Sequence, residues 1–438
     1  MKHHDTKPAT GAPVSRRTFI HGSAAVAALG AAPSWLASTA HAQGSDTLKI
    51  GLVGCGGRGR GAMGNAIDAA AKSGLAVKCV AAADYAPSRL EKAGELFDVP
   101  AEARFAGPTG YQSVMQSDAD LVILATPPLF RPTHFAAAVE AGKHVFIEKP
   151  VAVDPPGCRQ VISIGELAQK KGLSVVAGTQ RRHSAGFQKH VAAIHAGSIG
   201  QIVAGNIYWC MGQLWYKTRE PGDSDADYLV RNWTSFTEMS GDHLVEQHVH
   251  QIDVANWILG RPPQAAVGMG GRLRRVTGNQ FDSFAVEFDY GQGCTINSLC
   301  RQINGCWNRV DALFTGTEGR MWGRRRIARY DKAPIALPDV PAGDPADKVS
   351  PYVQEHVALQ ASIHAGAGVN EARSVAESTL SAIMGRIAAY TGKQVSWDDV
   401  MNDPSSDWYG LQVAVSAEDF ETGKVVAPAE DVAALPGT

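Results

Sequence analysis

The fold is decided by the stretch LKIGLVGCGGRG, residues 48–59. Its apolar half, Leu48–Val53, predicts a buried strand, and the alanine-rich segment Ala62–Ser73 that follows is typical of a helix. Between them lies a G-x-G-x-x-G motif, whose glycines let the chain turn sharply and let a pyrophosphate approach the helix N-terminus. The stretch therefore predicts the start of a dinucleotide-binding domain. The expected cofactor contacts are Gly54, Gly56, Gly57, Arg58 and Gly59.

Apolar runs and helical stretches continue to alternate after this motif. The predicted strands are 77–83, 120–125, 144–147 and 173–177, and the predicted helices are 88–97, 133–141 and 157–171. Short apolar strands alternating with helices indicate a parallel sheet covered on both faces. We therefore expect an α/β fold whose first domain, residues 48–178, is a Rossmann-type doubly wound sheet.

The pattern changes after residue 179. One helix is predicted from His243 to Leu259, strands at 265–273, 283–290, 294–302 and 310–315, and helices at 352–365 and 372–391. Consecutive strands joined by short turns favour antiparallel pairing. We expect a second domain of α+β type, residues 179–401, with an open, mostly antiparallel sheet, followed by a C-terminal tail, residues 402–438.

Composition excludes several classes of protein. Hydrophobic residues make up 45% of the 438 residues and charged residues 19%, which is typical of a globular protein and excludes disordered, collagen-like and coiled-coil chains. The formal net charge is −2, so we expect no nucleic-acid partner. The seven cysteines are scattered, which indicates neither a disulfide framework nor a thiolate zinc site.

The N-terminal residues resemble an export signal. A twin-arginine pattern, Ser15–Ile20, precedes a short apolar stretch, Ala24–Leu36, and a small-x-small cleavage site, Ala40–Ala42. We expect residues 1–42 to be removed after passage through the twin-arginine translocase, which places the protein in the periplasm without a membrane anchor. A periplasmic protein has little free NAD available, so we expect a tightly bound cofactor that is loaded before export.

An acidic residue ends the second predicted strand. Asp84 follows the last glycine of the motif at a distance typical of a ribose-binding carboxylate, which would repel the 2′-phosphate of NADP. Arg58 lies within the glycine motif and Arg60 directly follows it, and either arginine is able to accommodate that phosphate. The sequence therefore favours NAD and leaves NADP as the alternative.

Two further segments carry chemistry. Lys149 follows a predicted strand, at the edge of the sheet where ligands bind. Glu246, His250 and Asp253 share one face of the predicted helix 243–259. A neutral histidine is suited to take a hydroxyl proton, and Glu246 is placed to orient it. Glu246 and His250 also have zinc-ligand spacing, but we expect no metal.

These motifs together resemble the glucose-fructose oxidoreductase, inositol dehydrogenase and rhizopine catabolism (Gfo/Idh/MocA) family. The resemblance rests on the glycine motif, Ala125–Pro128, Glu148–Pro150 and the acidic-x-x-x-His-x-x-Asp helix. It implies NAD(P)-dependent oxidation or reduction of sugars or cyclitols, and pairing of subunits through the open sheet.

The resemblance also implies roles for individual residues. Lys149 corresponds to the family lysine, His250 to the general base, and Glu246 stands where the family has aspartate, so these three are the expected catalytic residues. Two features depart from the family: the segment Ser240–Asp242 replaces a glycine cluster, and His248 replaces a small residue. The expected cofactor contacts are Thr126, Pro127, Glu148 and Lys149, and the expected substrate contacts are Arg181, Arg182, His183, Trp233 and Asp253.

Three functions remain open from sequence. The first is hydride transfer from a sugar or cyclitol carbinol, with His250 as base and Lys149 stabilising the oxygen. The second is a redox-neutral glycosidase or lyase that acts through a transient keto-sugar. The third is a carbohydrate-binding protein with a vestigial cofactor site.

Overall fold

The computed structural model describes residues 47–323, 326–338, 340 and 349–430. The predicted export signal, residues 1–42, lies outside the described residues, and so does the end of the predicted tail after residue 430. No helix in the described part of the chain is long and apolar enough to cross a membrane.

A parallel sheet of six strands forms the first domain. Its spatial order is β3-β2-β1-β4-β5-β6, so the direction of strand addition reverses between β1 and β4. Every strand pair is parallel, which confirms the predicted doubly wound sheet. Ligands bind at such a reversal, beyond the carboxyl ends of the strands. The strands are β1 Thr47–Val53, β2 Ala76–Asp84, β3 Arg104–Ala106, β4 Leu121–Leu124, β5 His144–Ile147 and β6 Val175–Ala177.

Helices cover both faces of this sheet. Strand β4 is buried along its whole length, as its uninterrupted apolar sequence predicts for a strand covered on both sides. The helices are α1 Gly57–Ser73, α2 Pro87–Leu96, α3 Gly110–Gln116, α4 Arg131–Glu140 and α5 Pro155–Lys170.

The second domain is built on an eight-stranded sheet. Its order is β13-β12-β11-β7-β10-β9-β8-β14, and all neighbours are antiparallel except β7 and β10. The sheet is therefore mixed but mostly antiparallel, as predicted. Its strands are β7 Ile202–Met211, β8 Ala265–Gly271, β9 Ser283–Asp289, β10 Thr295–Gln302, β11 Arg309–Gly316, β12 Gly319–Trp322, β13 Arg326–Arg329 and β14 Val395–Ser396.

One face of this second sheet packs on helices, and the other face is open. Apolar side chains of the strands and of α10 and α12 form a continuous core on the covered face. The helices are α6 Ala185–His195, α7 Asp225–Arg231, α8 Thr237–Ser240, α9 His243–Glu246, α10 Val249–Leu259, α11 Pro351–Ala365, α12 Ala372–Thr391, α13 Trp397–Met401 and α14 Ala417–Thr422.

The prediction of a single helix over residues 243–259 is wrong, because the structure has two helices there, α9 and α10, with an interruption between them. The His248 N–H bonds to the His243 carbonyl, five residues back, and the His250 N–H bonds to the Gln247 carbonyl, three residues back. Side chains fix this irregularity: the His248 imidazole lies 2.7 Å from Ser298 Oγ on β10. Local i→i−5 bonds of this kind occur frequently at functional sites.

After the second sheet, the chain returns to the first domain. Helix α11 packs on α1, where Gln360 donates to the Ala66 carbonyl at 2.8 Å. The described part of the predicted tail is also ordered against the first domain. Phe420 on α14 meets Phe130 edge to face at 4.9 Å, and Tyr111 donates to Glu421 at 2.9 Å.

Candidate active site

A cavity of about 680 Å³ opens at the carboxyl ends of the parallel strands. Both domains contribute to its wall: the glycine motif, Asp84 and Lys149 come from the first domain, and the second contributes Glu246 and His250. The position at the strand-order reversal is the one expected for a ligand site in an open α/β sheet.

The glycine motif has two distinct structural roles. A Cβ on Gly54, whose φ is +95°, would lie 2.6 Å from the Ala125 backbone, and a Cβ on Gly59 would lie 1.7 Å from the Gly54 carbonyl oxygen. Gly56 and Gly57 have nothing within 4 Å of such a Cβ. The first pair therefore permits close packing of strand and helix, and the second pair leaves the cavity side of the loop open.

The N-terminus of α1 faces this opening without a side-chain cap. Gly56 is the N-cap residue, it makes no side-chain hydrogen bond, and the first turn contains no acidic residue. Unpaired N–H groups at a helix N-terminus attract phosphate. An open backbone cradle and an uncapped helix thus fit the diphosphate of a dinucleotide.

Asp84 lies at the end of β2, as predicted, and lines the cavity. It accepts hydrogen bonds from the backbone N–H groups of Cys55 at 2.7 Å and Ala86 at 2.8 Å. Burial raises the pKa of the Asp84 carboxyl, and these hydrogen bonds oppose the increase. Arg60 and Arg89 line the same cavity.

Arg58 does not extend along the phosphate loop but crosses to the Glu148-Lys149-Pro150 segment. Its guanidinium forms a salt bridge with Glu148, lies 3.9 Å from Glu355 and stacks over the Tyr352 ring at 4.9 Å. Glu355 is fully buried, and burial with the nearby Glu148 charge holds the pKa of Glu355 well above its ordinary value. Sequence reasoning missed Tyr352 and Glu355, because no local motif marks them on α11.

Thr126 and Pro127, the predicted cofactor contacts of this loop, line the cavity. The Thr126 hydroxyl lies 3.2 Å from His134 Nδ1, and Arg131 donates to the Thr126 carbonyl at 2.8 Å. Arg131 also donates to the Pro150 carbonyl. These bonds link the Thr126 loop to the segment that carries Lys149.

Lys149 and Glu246 form a hydrogen-bonded pair in the cavity wall. The Lys149 ammonium donates to the Glu246 carbonyl oxygen at 2.6 Å and to its carboxylate at 3.0 Å. The prediction that Glu246 orients His250 is therefore wrong. The glutamate is one methylene longer than the family aspartate and precedes the interruption after α9, and its carboxylate reaches the lysine.

His250 lies in the same wall, with its imidazole stacked on the Trp209 indole at 5.5 Å. Burial, together with the positive charges of Lys149, Arg181 and Arg58, holds the pKa of His250 well below its ordinary value. The imidazole is therefore neutral at neutral pH, which is the form that a general base requires.

The predicted substrate contacts divide into two groups. Trp233 lines the cavity, together with Trp209 and Trp215. Arg182 and Asp253 do not line it, because they form a buried bidentate ion pair at 2.8–3.0 Å. That prediction is therefore wrong for both residues.

The other two predicted substrate contacts also lie outside the cavity lining. His183 pairs with Glu371 at 3.1 Å, which corrects its predicted role. Arg181 lies behind the wall, its guanidinium 5.5 Å from the Trp209 ring. In the short helix Gln180–His183, it is Gln180 that faces the cavity.

Two sequence models of one family match the chain. The first, an oxidoreductase family with an NAD-binding Rossmann fold, covers residues 48–179, and the second, the GFO/IDH/MocA C-terminal domain, covers residues 187–322. The chain belongs to the GFO/IDH/MocA oxidoreductase family.

Relatives in the GFO/IDH/MocA family include enzymes of two kinds. The inositol 2-dehydrogenase of Burkholderia cenocepacia is 28% identical over 217 residues, 49% of this chain and 55% of the relative. The 2,7-anhydro-N-acetylneuraminate hydratase of Escherichia coli is 27% identical over 205 residues, 46% of this chain and 50% of the relative. The match thus spans about half the length of each relative.

A solved structure supports the fold over a longer part of the chain. The WlbA dehydrogenase from Bordetella pertussis, in complex with NADH and UDP-GlcNAcA, superposes with a TM-score of 0.60 at 20% identity. The superposition covers 81% of this chain and 99% of that chain. Both domains therefore share the arrangement seen in that structure.

Proposed function

We propose that the protein is an NAD-dependent oxidoreductase that acts on a CH–OH group of a sugar or cyclitol. The observation that carries this proposal is the arrangement of Lys149 and a neutral His250 in one cavity with an open glycine cradle. The inositol dehydrogenase among the relatives supports the class of substrate. These intact groups argue against the alternative of a non-catalytic carbohydrate-binding protein.

Lys149 and His250 divide the work on the hydroxyl. Two of the three ammonium N–H groups of Lys149 are engaged by Glu246, which leaves one for a substrate oxygen. His250 takes the hydroxyl proton, and the positive Lys149 stabilises the oxygen as negative charge develops there. The chemistry that NAD supplies when bound is hydride exchange at its nicotinamide ring.

The charges around the cavity support NAD as the cofactor. A diphosphate carries two negative charges, and cationic side chains exceed anionic ones in the lining. The cations are Arg58, Arg60, Arg89, Arg131 and Lys149, and the anions are Asp84, Glu148 and Glu246. Asp84 at the end of β2 favours the free ribose hydroxyls of NAD over the additional phosphate of NADP.

We further propose that NAD is bound tightly and loaded before twin-arginine export. The twin-arginine pattern that contains Arg16 and Arg17 supports this proposal, because that route carries proteins that fold before export, often around a cofactor. Replacing Arg16 and Arg17 by lysine is expected to retain the protein in the cytoplasm, as measured by cell fractionation. Periplasmic accumulation of that variant would contradict the export proposal.

A redox-neutral elimination is the second candidate, and the position of Glu246 favours it. Its carboxylate accepts from the Lys149 ammonium, the same group that would hold a keto oxygen, so a base is available close to that oxygen. Oxidation of a carbinol acidifies the neighbouring C–H bond, and a carboxylate in this position can remove that proton and expel a glycosidic oxygen. Water would then add to the C=C bond of the resulting enone at the carbon that lost the glycosidic oxygen, and return of the hydride to the ketone would restore the hydroxyl group and NAD.

Product analysis separates the two candidates. NAD-loaded protein is incubated with sugars, cyclitols and glycosides, and the products are identified by mass spectrometry. A product lighter by two hydrogens supports the dehydrogenase, whereas glycosidic cleavage without net NADH supports the elimination. In the second case, Glu246→Gln is expected to abolish cleavage and to retain NAD reduction, and loss of both would contradict the role of Glu246.

A further inference from the structure

Two tryptophans form an aromatic rim beyond the catalytic groups. Trp215 and Trp233 both line the cavity, and their rings meet edge to face with centroids 6.5 Å apart. Trp215 is 49% exposed, so about half of a large apolar ring stays in contact with water. Exposed aromatic surface beside a cavity is typical of a binding surface.

Backbone hydrogen bonds hold Trp215 in place on both sides. The Gln213 N–H donates to the Asn304 side chain at 2.9 Å, and the Lys217 N–H donates to Asn232 Oδ1 at 2.9 Å. The Thr234 hydroxyl, which neighbours Trp233, donates to the Trp215 carbonyl at 3.5 Å. The backbone that carries the exposed ring is therefore fixed, which reduces the entropy lost when a ligand binds to the ring.

The reacting part of the cavity has a separate aromatic wall. Trp209 stacks on His250, whereas the Trp215–Trp233 pair packs on neither His250 nor Lys149 among the described contacts. A sugar unit whose carbinol reaches His250 would contact the indole of Trp209. The outer pair is then available to a different part of the same ligand.

We propose that Trp215 and Trp233 form a subsite for a second saccharide unit, so that the substrate is a glycoside of at least two sugar rings. This inference rests on the proposed function, because it takes the first ring to be the one that reacts at His250. Sugar rings present flat C–H faces that stack on indole, with hydroxyl groups at their edges. Gln180 and Gln247 line the same cavity and offer amide donors and acceptors to such hydroxyls.

Calorimetric titration of the NAD-loaded protein tests this subsite. The probes are glucose and galactose, the disaccharides cellobiose, maltose and lactose, and phenyl β-D-glucoside. At least one disaccharide is expected to bind about tenfold more tightly than its component monosaccharides, as one additional aromatic contact would provide. Trp215→Ala is expected to remove this difference and to leave monosaccharide affinity unchanged.

Trp307→Ala is the matched control, because Trp307 is 64% exposed, has an edge-to-face partner in Tyr208 and lies outside the cavity lining. The subsite would be overturned by equal affinity for mono- and disaccharides, by no saccharide binding to the NAD-loaded protein, or by a disaccharide preference that survives in Trp215→Ala. Tighter binding of the phenyl glucoside than of every disaccharide would instead assign the rim to an aromatic aglycone and would also overturn it.

The same samples keep this proposal distinct from the proposed function. If sugars reduce the bound NAD while disaccharides show no preference, the subsite is wrong and the oxidoreductase stands. If disaccharides bind preferentially through Trp215 but no sugar changes the redox state of NAD, the subsite stands and the oxidoreductase is wrong.

Discussion

Among single residues, His250 is the one whose neutral state we expect to determine the pH dependence of the proposed reaction. Burial and neighbouring cations hold the pKa of His250 well below its ordinary value, so the base form persists into mildly acidic solution. A general base is active above its pKa, and we therefore expect kcat/KM to fall only as the pH drops below about 6.5. The measurement is a pH–rate profile of the NAD-loaded enzyme.

His250→Asn tests the same assignment directly. Asparagine fills similar space but takes no proton, so we expect turnover to fall about 10²–10⁴-fold while NAD affinity stays unchanged. NAD affinity is measured by fluorescence titration in parallel. Turnover within threefold of the wild type would contradict the assignment.

The buried ion pair of Arg182 and Asp253 is expected to contribute to stability and not to substrate recognition. Arg182→Gln leaves the buried Asp253 carboxylate without its guanidinium, which is expected to destabilise the protein by about 3–5 kcal/mol. The exposed Arg373–Glu166 pair is the control, and Arg373→Gln is expected to lower stability by less than about 1 kcal/mol. Denaturant unfolding measures both variants. A higher KM for Arg182→Gln without lost stability would restore its predicted substrate role.

Among the structural elements, the loop between β1 and α1 and the first turn of α1 contain glycines with two different roles. Gly59→Ala places a methyl group against the Gly54 carbonyl and is expected to destabilise the first domain. Gly56→Ala meets no protein atom within 4 Å, so it is expected to leave stability unchanged and to weaken NAD binding at least tenfold.

Gly64→Ala, on α1 but not among the lining residues, is the control for these two variants and is expected to change neither property adversely. The measurements are the unfolding midpoint and NAD affinity. Unchanged NAD affinity in Gly56→Ala would contradict the cradle.

The strands of the first sheet other than β3 could be predicted because their apolar runs are short and flanked by turn residues, as in His144–Ile147, which the structure reproduces. The central strand of the second sheet, β7, was missed because Gly205 and Asn206 interrupt its apolar pattern. The interruption after α9 was missed because it depends on the contact between His248 and Ser298, and local periodicity carries no information about that contact.

The same limit applies to the site. The glycine motif, Asp84, Lys149 and His250 lie at positions that strand ends and helix faces make readable from sequence. Tyr352 and Glu355 reach the site only because α11 returns to the first domain. No local pattern predicts such a contact.

At the scale of the whole molecule, the open face of the second sheet is expected to form a subunit interface. Apolar side chains stay exposed on strands on either side of β7, including Val310 on β11 and Leu299 on β10, which are 46% and 43% exposed. Leu299→Glu is expected to lower the sedimentation coefficient toward that of a monomer, whereas Leu96→Glu, at the end of α2, is expected to have no effect. A wild-type protein that sediments as a monomer at all concentrations would contradict this expectation.

The cavity is expected to couple NAD to the oxidation or reduction of a sugar or cyclitol hydroxyl. The most direct test mixes NAD-loaded protein with a panel of sugars, cyclitols and glycosides and records the absorbance at about 340 nm during a single turnover. At least one compound is expected to reduce the bound NAD, and His250→Asn is expected to abolish this absorbance change. Three negative results together would contradict this coupling. They are that every compound leaves NAD oxidised in the wild-type protein, that no keto-sugar reoxidises NADH-loaded protein, and that no glycoside is cleaved.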